Sequence, residues 1–147
     1  MRTLADRVKL TGMTVVATGR TVEADSWRLS VETDPDTGDL TTVVSIQLAD
    51  GTNVWGGGCR DAVPPSKRLN TYFGAAETGP RIFIGRVTSD VRAVVVALSD
   101  GTREDLVLYS LEDAPGLRIG VLVYPRGLDI HRVDLVGHSG EPLDPEA

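Results

Sequence analysis

Residues 81–87 read RIFIGRV, residues 93–98 AVVVAL, residues 117–124 LRIGVLVY and residues 128–136 LDIHRVDLV, and Asp-Gly, Pro-Gly and Arg-Gly pairs punctuate the intervals between them. Short apolar runs closed by turn-forming dipeptides are the pattern of an antiparallel sheet. The same grammar extends toward the N-terminus. Trp27, Leu29 and Val31 alternate with Arg28, Ser30 and Glu32, which places the Trp27 ring on a buried face. The cluster Asp34-Pro35-Asp36-Thr37-Gly38-Asp39 closes a hairpin onto Thr41–Ala49, where Val44, Ile46 and Leu48 form the core side.

Asp50-Gly51 reads as a two-residue hairpin turn with positive φ at both central positions. Asn53–Trp55 returns along it, runs into Gly56-Gly57-Gly58-Cys59, and leaves as a long irregular loop from Arg60 to Tyr72. Leu48-Ala49-Asp50-Gly51-Thr52 recurs fifty residues later as Leu98-Ser99-Asp100-Gly101-Thr102, so one hairpin is written twice. All eight prolines fall between or at the ends of the proposed strands, as a ladder of N–H donors demands.

About nine short strands at 8–12-residue spacing, without crossover helices, predict an all-β fold. We expect an antiparallel immunoglobulin-like β-sandwich, with a small β-barrel as the alternative. Residues 1–11 are expected to form a lead-in, with a short helical turn as one option; residues 12–143 form a single domain; residues 144–147 are an acidic tail expected to fray.

Composition narrows the function. Hydrophobic residues make up 41% and charged residues 24%, ordinary globular values. The formal charge is −6 and the basic residues are scattered, which argues against nucleic acid and against an anionic membrane surface. The longest apolar run, Ala93–Leu98, is six residues where a membrane-spanning helix needs about 20. The first ten residues alternate charge and apolarity, unlike a secretory signal, and Cys59 is a single cysteine. A cytoplasmic protein is therefore expected, provided Met1 is the natural start.

Chemistry has few places to sit. His131 and His138 are seven apart and face opposite sides of a continuous strand, so a metal site is not expected. The segment Asp34–Asp39 resembles a calcium loop but has Gly and Asp exchanged at its fifth and sixth positions and Ser45 at its twelfth. Cys59 follows three glycines and precedes Arg60 without a nucleophile signature, and no phosphate loop or Gly-x-Ser-x-Gly elbow occurs. No catalytic residue, metal or cofactor is expected.

The candidate surface is the segment from Trp55 to Phe73, where Trp55, Tyr72 and Phe73 bracket Arg60, Lys67 and Arg68. Aromatic and arginine side chains make interface anchors at low entropic cost. We expect a non-enzymatic module that binds a protein partner or itself, through this loop or through an exposed sheet edge. The alternative is small-molecule or carbohydrate binding on the same aromatic and basic residues.

The segments Asp25–Leu29, Gly56–Cys59, Gly85–Val94 and Val133–Leu143 resemble a loose group of uncharacterised actinobacterial β-sandwich domains over residues 12 to 143. The resemblance implies the fold and no activity.

Overall fold

The computed structural model describes residues 13–62, 65, 67–75, 78–112 and 114–146. The expected lead-in at 1–11 lies outside the described residues. Twelve strands follow in order: β1 (Thr14–Arg20), β2 (Ser26–Thr33), β3 (Leu40–Gln47), β4 (Asn53–Asp61), β5 (Leu69–Ala75), β6 (Arg81–Thr88), β7 (Val91–Leu98), β8 (Arg103–Asp105), β9 (Tyr109–Ser110), β10 (Leu117–Tyr124), β11 (Ile130–Gly137) and β12 (Pro142–Leu143). Nine of them have seven to nine residues, and β8, β9 and β12 are pairing stubs of two or three.

They form three four-stranded antiparallel sheets, ordered β1-β2-β3-β4, β5-β6-β10-β9 and β12-β11-β7-β8, and none of them closes into a barrel. The second sheet lies between the other two. Alternate residues of β6 enter different cores: Ile82 and Ile84 pack with Leu29, Val44 and Ile46 of the first sheet. Phe83 and Val87 pack with Val91, Val94 and Val96 of the third. Strand β10 divides in the same way, Ile119 to one side and Tyr124 to the other. Because a strand turns successive side chains to opposite faces, apolar residues at every position are the signature of a sheet covered twice. Each such side chain contributes about 1.5–3 kcal/mol by leaving water, so β6, with Ile82, Phe83, Ile84 and Val87 all at 0% exposure, is the centre of the fold.

The Asp-Gly turns are built differently from the expectation. At Ala49-Asp50-Gly51 the Gly51 N–H donates to Leu48 O (2.8 Å) and the Leu48 N–H to Thr52 O (2.8 Å), and Gly51 has φ 91° while Asp50 is not among the positive-φ residues. This is a three-residue loop, a type I turn closed by a left-handed glycine. The Asp50 carboxylate accepts the Thr52 N–H (2.8 Å), which supplies what a second positive φ would have supplied. Residues 98–102 repeat every one of these bonds, with Gly101 at φ 88° and Thr102 N–H donating to Asp100 (2.9 Å). The repeated pentapeptide is a repeated turn.

The expected loop from Arg60 to Tyr72 is also shorter than the sequence suggested. Strand β4 continues to Asp61 and β5 begins at Leu69. The three glycines do not end β4; they let it pass close to its neighbours. A Cβ on Gly57 would stand 2.9 Å from the Tyr72 ring, and one on Gly74 would stand 2.7 Å from the same ring. Side-chain-free backbone on β4 and β5 makes the room in which Tyr72 lies. The acidic end, expected to fray, is held: the Leu69 N–H donates to Pro145 O (3.2 Å) and Lys67 pairs with Glu146 (3.2 Å).

Candidate functional site

Of the residues singled out between Trp55 and Phe73, the five whose side chains are described, Arg60, Lys67, Arg68, Tyr72 and Phe73, do not assemble into one surface. Tyr72 and Phe73 are consecutive on β5 and so face opposite sides of the sheet. Tyr72 packs on the first core; Phe73 lies on the other side, 53% exposed, with its ring centroid 5.2 Å from that of Phe83. The backbone of Trp55 stands opposite Ser45, in the first sheet.

The basic residues are already engaged within the chain. Arg60 donates to Asp34 (2.7 Å) and Asp39 (3.3 Å), clamping the β2–β3 turn. Backbone N–H donation from Asp36 and Thr37, with Arg60 adding to it, holds the Asp34 carboxyl below its ordinary range. Arg68 pairs with Asp90 (2.8 Å), and its guanidinium also donates to Asp144 O. A shared basic and aromatic platform is therefore replaced by three separate intramolecular clamps. Such exposed ion pairs are worth about 0–1 kcal/mol each and serve mainly to hold segment ends in place.

Two features were not singled out from sequence. The first lies between the first and second sheets. Arg86 on β6 points into the first core at 2% exposure and forms an ion pair with Asp61 at the end of β4. Its Nε and Nη1, and the buried Thr42 hydroxyl, have no hydrogen-bond partner among the described residues. Cys59, two residues before Asp61, belongs to the same region; burial pushes its thiol above the usual range, with the Arg86 charge acting weakly the other way. That is the setting of an inert thiol. His131 is exposed on the third sheet, with the second sheet between it and Cys59, so the two make no catalytic pair.

The signal for Arg86 was present in RIFIGRV. An arginine within a strand apolar on both faces must be buried and therefore paired.

The second feature is a groove of about 760 Å³ on the outer face of the first sheet. It crosses the four strands between two rows of side chains. One row is Thr18, Arg28 and Ser45, and the other is Arg20, Ser26, Gln47 and Asn53. The floor is the backbone of Gly19, Trp27, Ile46 and Val54, of which Trp27, Ile46 and Val54 send their side chains inward to the core. A smaller cleft of about 290 Å³ opens where the β1–β2 turn meets Pro80, Glu104 and Tyr124.

His138 Nε2 donates to Ser89 O (2.8 Å), and among the described residues no three His, Cys, Asp or Glu side chains gather in a way that could hold a metal ion. No described helix is long and apolar enough to cross a membrane. No family model, curated protein or solved structure matches this chain.

Proposed function

We propose that this protein is a non-enzymatic interaction module that takes up an extended segment of another protein chain, a second copy of itself included, along the free edge of β1. The observation that carries this reading is the contrast between β1 and the other sheet edges. Strands β9 and β12 are two residues long, β12 starting with Pro142, and β8 is the charged tripeptide Arg103-Glu104-Asp105. Short, charged or proline-bearing edges resist strand addition. Strands β4 and β5 lie against each other, a Cβ on Gly74 standing 3.2 Å from Gly56 O.

Strand β1, by contrast, is seven residues long, reads TVVATGR with no charge before Arg20, and exposes Val15 at 53%. Among the described residues its one guard is the register irregularity between Val15 and Ala17. A second chain would find a ladder of N–H and C=O groups that no described strand pairs, flanked by apolar and hydroxyl side chains. The actinobacterial grouping and a cytoplasmic setting are likewise proposals, the latter resting on the single cysteine.

Light scattering on a concentration series of wild type and Val15→Lys tests the proposal. A lysine on an open edge disfavours pairing without touching the core. Wild type should associate with rising concentration while the variant stays monomeric at equal thermal stability. A wild type that stays monomeric and fails to bind a synthetic peptide of residues 14–20 overturns the reading.

A further inference from the structure

The groove on the outer face of the first sheet differs from the rest of this surface in its charge. The chain carries a formal charge of −6, yet among the described residues no acidic side chain lines the groove. Both of its arginines, Arg20 and Arg28, are exposed and have no ion-pair or hydrogen-bond partner among the described residues. This sets them apart from Arg60, Arg68, Arg81, Arg86 and Arg132, each held by an aspartate.

Register fixes how the two are placed. Arg20 pairs with Ser26 and Arg28 with Thr18, so the arginines sit on adjacent strands in diagonal positions, one on each rim. Diagonal neighbours of this kind have Cβ atoms about 7–8 Å apart, close enough for two long guanidinium side chains to converge on one carboxylate. Toward β3 and β4 the described side chains along the rims are Ser45, Gln47 and Asn53, a hydroxyl and two amides.

That distribution selects a ligand. The groove crosses the strands, and the backbones of β2 and β3 are already bonded on both sides, so recognition falls to side chains and a peptide cannot add as a strand there. A nucleic acid brings a charge at every unit and wants aromatic stacking, whereas cationic groups here are confined to one end. Four strands at about 4.8 Å spacing give a rod-shaped site about 14 Å long. We propose that the groove binds a short oligosaccharide bearing a carboxylated sugar, its carboxylate held between Arg20 and Arg28 and its hydroxyls hydrogen-bonded by the amide and hydroxyl rims. The groove shares Thr18 and Arg20 with β1, so the variants that test it are placed at Arg28, on the interior strand β2, where they leave the β1 edge unchanged.

Titration calorimetry with trigalacturonate, with its fully methyl-esterified form as the uncharged control, tests the proposal on wild type, Arg28→Lys and Arg28→Gln. Wild type should bind the acid at least tenfold more tightly than the ester. Arg28→Gln should lose at least tenfold, and Arg28→Lys should fall between, keeping charge but not the two-pronged geometry. Circular dichroism should show both variants folded, as expected for an exposed position. Absence of trigalacturonate binding, equal binding by Arg28→Gln, equal binding of acid and ester, or tighter binding of an acidic peptide or a single-stranded oligonucleotide would each overturn it.

Discussion

Ala24 has φ 66°, the left-handed region that costs a residue with a Cβ about 1–2 kcal/mol. Its turn uses the same bond pair as the Asp-Gly hairpins: the Ala24 N–H donates to Thr21 O (3.0 Å) and the Thr21 N–H to Asp25 O (2.8 Å). Ala24 thus occupies the position that Gly51, Gly101 and Gly140 fill elsewhere. Ala24→Gly should stabilise the protein by up to about 1 kcal/mol, the released strain being partly offset by a more flexible unfolded chain. Gly51→Ala should cost about 1 kcal/mol or more. Thermal unfolding reads both, and a lower melting temperature for Ala24→Gly would refute the assignment.

Cys59 gives a second residue-scale expectation. Its folded pKa is raised above the unfolded value of 9.0, so its contribution to stability is full below pH 9 and is lost as pH rises through the folded value. Iodoacetamide should label it far more slowly in the native protein than in urea at pH 8. Equal rates would show an open thiol.

At the scale of elements, the hairpin turns depend on ionised aspartates. Donation from the Thr52 side chain and N–H holds the Asp50 carboxyl below its ordinary range, and Thr102 does the same for Asp100. Groups depressed in the folded state stabilise it above the unfolded pKa and lose that contribution as pH falls through the folded value. Asp50→Asn with Asp100→Asn keeps the side-chain acceptor and removes the titration, so stability should fall less steeply below pH 4 than in wild type. Parallel acid limbs in urea unfolding would contradict this.

These turns were legible because Asp, Asn, Pro and Gly determine local backbone geometry over four or five residues. The course of β4 was not. Gly56-Gly57-Gly58 reads as a strand exit since glycine disfavours strands, and only the position of Tyr72, from a different strand, shows why the glycines belong inside one. The aromatic and basic cluster failed for the same reason. Proximity along the chain between Tyr72 and Phe73 means opposite faces in a strand, and the acids that occupy Arg60, Arg68 and Lys67 come from Asp34, Asp90 and Glu146.

For the whole molecule, the decisive feature is a middle sheet covered on both faces, and the ion pair between Asp61 and Arg86 ties that sheet to the first. The two partners differ in burial, with side chains 32% and 3% exposed. Asp61→Leu strands a buried guanidinium and should cost about 3–5 kcal/mol, whereas Arg86→Leu leaves an aspartate that still reaches water and should cost less. The double variant should lie near wild type, because a well-packed apolar pair replaces a desolvated ionic one. Urea unfolding of the four proteins measures this asymmetry, and equal single-variant losses would contradict it.

The claim that a doubly covered middle sheet supports one open edge for partner binding is tested most directly by residue-resolved amide hydrogen exchange, in dilute solution and at concentrations where the protein associates. The amides of β6 should be the slowest in both. Amides of β1 that point away from β2 should exchange quickly when dilute and gain protection on association. Protection of those β1 amides equal to that of β6 in dilute solution, or unchanged on association, would contradict the account.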